Sequence, residues 1–242
     1  MDIIKIHLCL MKIIMKKVNF KEKIMKKFKY VFIVTYGRSG STLLQNILNS
    51  IDGYLIRGEN NNILFDLYKS YRKAIFAKER FGMQYLDEKT PWFGSDLIGP
   101  EKFGRKLVHL FTNEILNPEI DTKVLGFKEI RYFENQEEFK PFLKFMLRMY
   151  SPACIIFNKR DANEVKKSGW WKDMPEEQVI ETINSYDKIM EEFIKENPEN
   201  SIMVDYNKYT KDYHELSPLF EFLNEDLNEN NLKDILNIKL TH

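Results

Sequence analysis

Short runs of β-branched and aromatic residues recur along this chain, each separated from the next by a longer segment with helical periodicity. No other feature restricts the fold as strongly. Strands that alternate with helices build βαβ units, and their parallel strands need crossover connections that cover both faces of a sheet. Five runs read as strands: YVFIVT at 30–35, GYLIRG at 53–58, KVLGFKE at 123–129, ACIIFNK at 153–159 and SIMVDY at 201–206. Between them, Leu43, Leu44, Ile47, Leu48 and Ile51 mark one helix face. Val179, Ile183, Tyr186, Met190 and Phe193 mark another, at spacings of three and four. Both stripes read as core. The expectation is an α/β fold of three layers, a central parallel sheet of about five strands flanked by helices.

With 242 residues, 43% of them hydrophobic and 14% aromatic, the chain can bury a core. It has no repeat, low-complexity tract or Gly/Ser linker, so residues 30–242 read as one domain. Residues 60–117 form a helical insertion between the second and third strands, placed to act as a lid. The 37 basic and 36 acidic side chains nearly cancel, which excludes a bulk attraction to nucleic acid. Their distribution is uneven: residues 1–29 hold nine Lys against Asp2 and Glu22, whereas residues 173–242 hold six basic and 17 acidic groups. An anionic ligand therefore meets least repulsion in the middle of the chain.

Residues 1–29 read as a Lys-rich N-terminal extension, with Met11, Met15 and Met25 as alternative starts and an amphipathic surface anchor as the rival reading. MDIIKIHLCLMKIIMKK is interrupted by Lys5, His7 and Lys12, falls short of the ~20 residues of a membrane span, and lacks a small-residue cleavage site. Neither a span nor a signal peptide is expected. Cys9 and Cys154 are too few for a disulfide framework, which fits a reducing, cytoplasmic setting. His7, His109, His214 and His242 show no ligand spacing, so no metal site is expected.

The sharpest signal follows the first strand: Thr35-Tyr36-Gly37-Arg38-Ser39-Gly40-Ser41-Thr42, and then a helix. A strand, a glycine-containing turn and a helix start aim backbone N–H groups and about half a positive charge at one point. That point suits a phosphate, and the fold expected around it is P-loop-like. Gly37 and Gly40 permit close backbone approach, Ser39, Ser41 and Thr42 add hydroxyls, and Arg38 adds a charged fork. A nucleotide-hydrolysing P-loop would place Lys directly before Ser41, where this chain has Gly40. The third strand also ends in Lys128-Glu129 rather than in an aspartate for magnesium.

RSGST at 38–42 resembles the 5′-phosphosulfate loop of sulfotransferases that use 3′-phosphoadenosine-5′-phosphosulfate (PAPS). The match is closer to the bacterial carbohydrate and tyrosylprotein branches, which use Arg in this loop. The resemblance runs from about residue 30 to the end and implies PAPS as co-substrate, with no metal. It places Glu59, in Arg57-Gly58-Glu59-Asn60-Asn61, as general base; a helix-capping glutamate is the alternative. It places Lys128 on the bridging oxygen of the donor, with Glu129 as a competing base and a Glu129–Arg131 surface pair as the plain reading. Alternation along the strand would send Lys128 and Ile130 to one face and Glu129 and Arg131 to the other. Cytosolic members carry a histidine base where this chain has Ile130, which favours Glu59.

The resemblance assigns the 3′-phosphate to Arg160 and Ser168. Ser168 would face back from a helix beginning near Asp161, because two turns cover about seven residues. Trp170 and Trp171 would either stack on adenine or pack in the core. The implied activity is sulfuryl transfer to a hydroxyl acceptor, a glycan, glycolipid or other small molecule; the Lys-, Ile- and Asn-rich composition suggests a bacterial source. A P-loop small-molecule kinase and a non-catalytic nucleotide-binding module are the alternatives.

Overall fold

The structure, a computed structural model, describes residues 26–237. The extension as far as residue 25, with its surface-anchor alternative, lies outside the described residues, as does the chain from 238 onward. Residues 26–29, which their charge groups with the extension, belong instead to the packed fold. Phe28 is buried and its ring lies 5.3 Å from that of Phe222, while the Lys29 N–H donates to the Pro152 carbonyl at 2.9 Å.

Five strands lie within the five predicted runs: β1 (Tyr30–Val34), β2 (Tyr54–Arg57), β3 (Val124–Glu129), β4 (Ala153–Lys159) and β5 (Ser201–Asp205). They form one sheet in the order β2-β3-β1-β4-β5, and every pairing is parallel. Val31, Phe32, Ile33 and Val34 are all fully buried, as expected of a central parallel strand covered on both faces. Phe32 and Val34 face one core with Phe127 and Phe157, under α2 (Ile63–Phe81), α3 (Pro100–Phe111), α4 (Gln136–Met149) and α6 (Glu176–Glu196). Val31 and Ile33 face the other with Ile56 and Ile156, under α1 (Ser41–Asn49), α8 (Ser217–Leu223) and α9 (Glu229–Asn237). Two short helices complete the set, α5 (Ala162–Val165) after β4 and α7 (Tyr206–Tyr209) after β5.

The chain leaves β1 toward β2 on one side and later returns past β1 to β4 on the other. Such a reversal opens a crevice at the carboxyl ends of the strands. Within 60–117 lie α2, α3 and two short helical turns. Among the described residues, no helix is long and apolar enough to cross a membrane.

Candidate active site

A cleft of about 460 Å³ opens at that carboxyl edge, and all five strands deliver residues to it. Gly37, Arg38 and Gly40 to Thr42 follow β1, Glu59 follows β2, Lys128 is the penultimate residue of β3, Arg160 follows β4 and Tyr206 follows β5, whereas Ser39, expected to bind the anion, does not line the cleft. Residues 60–117, expected to act as a lid, supply none of the residues that line it; Thr210 and Leu236 do.

The loop after β1 is held by side chains distant in sequence. Trp171 Nε1 donates to the Gly37 carbonyl at 2.9 Å, Arg160 Nη1 to that of Arg38 at 3.1 Å, and Asn158 Nδ2 to that of Ser39 at 2.8 Å. In a planar trans peptide the C=O and the following N–H point in opposite directions. Tying three consecutive carbonyls therefore turns the N–H groups of residues 38–40 away from those anchors. Arg38 and Gly40 have φ of 67° and 83°, the left-handed region, and such turns form anion-binding concavities. For Arg38 this backbone costs about 1–2 kcal/mol. Helix α1 then starts at Ser41 with no side-chain cap and no acidic residue in its first turn, so its positive end is not neutralised locally. Ser39 is fully buried, and its hydroxyl has no partner among the described residues.

The two loop glycines serve a further purpose beside the one their sequence suggests. A Cβ on Gly37 would lie 2.2 Å from the Trp170 ring, and one on Gly40 would lie 2.1 Å from Tyr206. They make room for aromatic walls of the cleft rather than for a ligand alone.

At the other end, Lys128 Nζ donates to Glu59 Oε1 at 2.5 Å and Arg131 Nη1 to Glu59 Oε2 at 2.9 Å. Burial pushes the Glu59 carboxyl up, but the hydrogen bonds and charges of Lys128 and Arg131 outweigh it and hold the group below the usual carboxylate range. The strand ends at Glu129, so alternation does not govern Arg131, and its guanidinium swings to the same carboxylate as Lys128. Arg131 also meets Glu129 at 3.0 Å, yet this is no surface pair, because Glu129 is completely buried.

Asp161 caps a helix as expected, accepting from the Asn163 N–H at 2.7 Å. That helix, α5, is a single turn and ends at Val165, so Ser168 does not ride two turns along it. Ser168 stands in extended backbone, and its Oγ accepts from Arg38 Nε at 2.8 Å. Arg160 lies over the Tyr206 ring at 4.6 Å and donates to Glu164 at 3.0 Å. The tryptophans divide: Trp171 is buried beneath the loop, whereas Trp170, half-exposed, lines the cleft. Asn158, Tyr206 and Arg131's contact with Glu59 carry no local sequence signal that sets them apart.

No protein-family model matches the sequence, and no curated protein matches it. Solved structures do. The sulfotransferase domain of the Synechococcus PCC 7002 olefin synthase is 19% identical, with 85% of this chain and 76% of that one covered and a TM-score of 0.50. The sulfotransferase domain from the curacin biosynthetic pathway is 14% identical, with 84% and 75% covered and a TM-score of 0.50. The chain has a sulfotransferase-like fold.

Proposed function

We propose that this protein transfers a sulfuryl group from PAPS to a hydroxyl acceptor. The observation that carries the reading is one cleft with an uncapped helix start and Arg38 on one wall and a Lys128–Glu59 pair on the other. The residues present fit an anionic nucleotide: Arg160, which lines the cleft, has a buried Nε with no partner among the described residues, and Arg38, Lys128, Arg131 and Arg160 share the cleft with Glu59, the sole carboxylate among its described lining residues. When bound, the donor supplies a sulfuryl group on an activated phosphate.

Arg38 and the loop amides then hold the 5′-phosphate and stabilise the charge that builds there. Arg160 holds the 3′ end beside Trp170, while Ser168, expected at the 3′-phosphate, lies outside the cleft lining and accepts from Arg38. A Glu59 clamped at 2.5 Å by Lys128 is a weak base, since the ammonium stabilises the carboxylate against protonation. An anion in the loop draws the Lys128 ammonium toward it and raises the basicity of Glu59 only when donor is present. Glu59 then removes the acceptor proton, a task worth about 10²–10⁴-fold in rate. The missing Lys before Ser41 and the Lys128-Glu129 strand end support transfer without a divalent ion.

For the acceptor we propose a glycan or glycolipid hydroxyl, a reading supported by the polar lining of the cleft; for its setting we propose a bacterial cytoplasm, supported by the Lys-, Ile- and Asn-rich composition and the two cysteines. The test pairs labelled PAPS with a panel of hydroxyl acceptors. Wild type labels an acceptor, and Glu59→Gln loses turnover by at least about 10²-fold while still binding adenosine 3′,5′-bisphosphate. Full turnover by Glu59→Gln rejects Glu59 as the base.

A further inference from the structure

Glu129 ends β3 with a carboxylate that is completely buried, a costly place for a charge unless every oxygen is satisfied. Every oxygen is. Oε2 accepts the N–H groups of Asn60 and Asn62, both at 3.2 Å, and Oε1 accepts the Ile130 N–H at 2.9 Å and Arg131 Nη1 at 3.0 Å. A carboxylate offers about four lone-pair sites, so none is left to receive a substrate proton. Glu129 is also absent from the cleft lining. Both observations argue against it as a base and leave a buried charge in want of a purpose.

Its partners supply one. Asn60 and Asn62 belong to the turn that leaves Glu59, and Asn61 and Asn62 take left-handed φ of 55° and 65°. Holding N–H groups on either side of Asn61 pins that strained turn. It also puts a negative charge at the start of α2, whose own N-cap residue makes no side-chain cap. The Arg131 nitrogen that reaches Glu129 is the one that reaches Glu59, at 2.9 Å.

We propose that Glu129 is a positioning residue: it fixes the direction of the Glu59 carboxylate by pinning the Asn60–Asn62 turn and by sharing the Arg131 guanidinium. The inference rests on the sulfuryl-transfer reading with Glu59 as base. The resulting order of charges is Glu129, Arg131, Glu59, Lys128. Glu59 faces Lys128 from β3 and Arg131 just beyond it, with Arg38 across the same cleft, and Tyr132 is buried near Glu129. Any pH effect must be read against this set.

Glu129→Gln tests the proposal, because it keeps size but removes the charge and one pair of acceptor sites. Without Glu129 to share it, Arg131 bears wholly on Glu59. The Glu59 carboxyl carbon, identified by carbon-13 NMR as the resonance missing from Glu59→Gln, should then titrate at lower pH than in wild type. The predicted kinetic result is a kcat lower by about ten- to a hundredfold, with affinity for adenosine 3′,5′-bisphosphate unchanged within about threefold. A loss of thermal stability with Glu59 titration and kcat as in wild type would overturn the proposal. Should Glu129→Gln fail to fold, Glu129→Asp keeps the charge but is too short to span both the turn and Arg131. It should show the same fall in kcat at retained affinity, and wild-type kcat there would equally overturn the role. The NMR comparison needs no turnover, so it judges Glu129 even if wild type transfers nothing. That second outcome would sink the functional reading instead.

Discussion

Arg38 combines an unfavourable backbone with a side chain that lines the cleft; Ser168 accepts from its Nε, and Gly169 leaves it room, since a Cβ there would lie 2.8 Å from Arg38. Strain of this kind persists where surrounding contacts enforce it and concentrates at functional sites. Replacing Arg38 by Ala should weaken adenosine 3′,5′-bisphosphate binding by about ten- to a hundredfold, the size of a charge-assisted contact worth about 1.5–3 kcal/mol, as read by calorimetric titration. Glu59 makes a second, pH-dependent prediction. Burial raises its pKa, but Lys128 and Arg131 more than reverse this, so the folded value lies below the unfolded one. Its pairing therefore stabilises the fold above the unfolded pKa and is lost as pH falls through the depressed folded value. The Tm gap between wild type and Glu59→Gln should shrink as thermal melts are run below about pH 4, and a gap independent of pH would contradict this. At this scale the sequence pointed to side chains that the structure brings into one cleft, because Arg38, Glu59 and Lys128 sit beside recognisable turns and strand ends. It did not show that Arg131 reaches Glu59, since that contact depends on where β3 stops.

The element that defines the site is a turn held by another part of the chain. Its three carbonyl anchors come from residues 119, 122 and 134 positions away, so local pattern exposes the glycines and hydroxyls but not what orients the peptide planes. Trp171→Phe keeps most of the ring packing but leaves the buried Gly37 carbonyl without its donor, a loss of about 1–3 kcal/mol. The expected result is a lower Tm together with weaker nucleotide binding; a lower Tm with unchanged binding would mean that the anchor does not shape the loop. The segment after β4 teaches the same lesson from the other direction. Asp161 was legible as a cap, yet the helix it caps is one turn long, and Ser168 reaches Arg38 through extended backbone instead.

At the scale of the molecule, strand–helix alternation made the parallel sheet legible, because parallel strands require covered faces and share one carboxyl edge. Strand order was not legible. It depends on crossovers that pass over β1, which no local periodicity records. The same limit hid the contribution of Tyr206, Thr210 and Leu236, which reach the cleft from the acid-rich last third of the chain. All five strand ends thus converge on a single pocket rich in cations, and its affinity for a sulfated nucleotide is the claim on which the mechanism depends. Calorimetric titration with adenosine 3′,5′-bisphosphate in magnesium-free buffer, set against ATP with magnesium, tests it directly. Saturable binding of the bisphosphate at one per chain is expected, weakened about ten- to a hundredfold in Arg38→Ala. No heat from the bisphosphate, with tight binding of magnesium ATP, would contradict it.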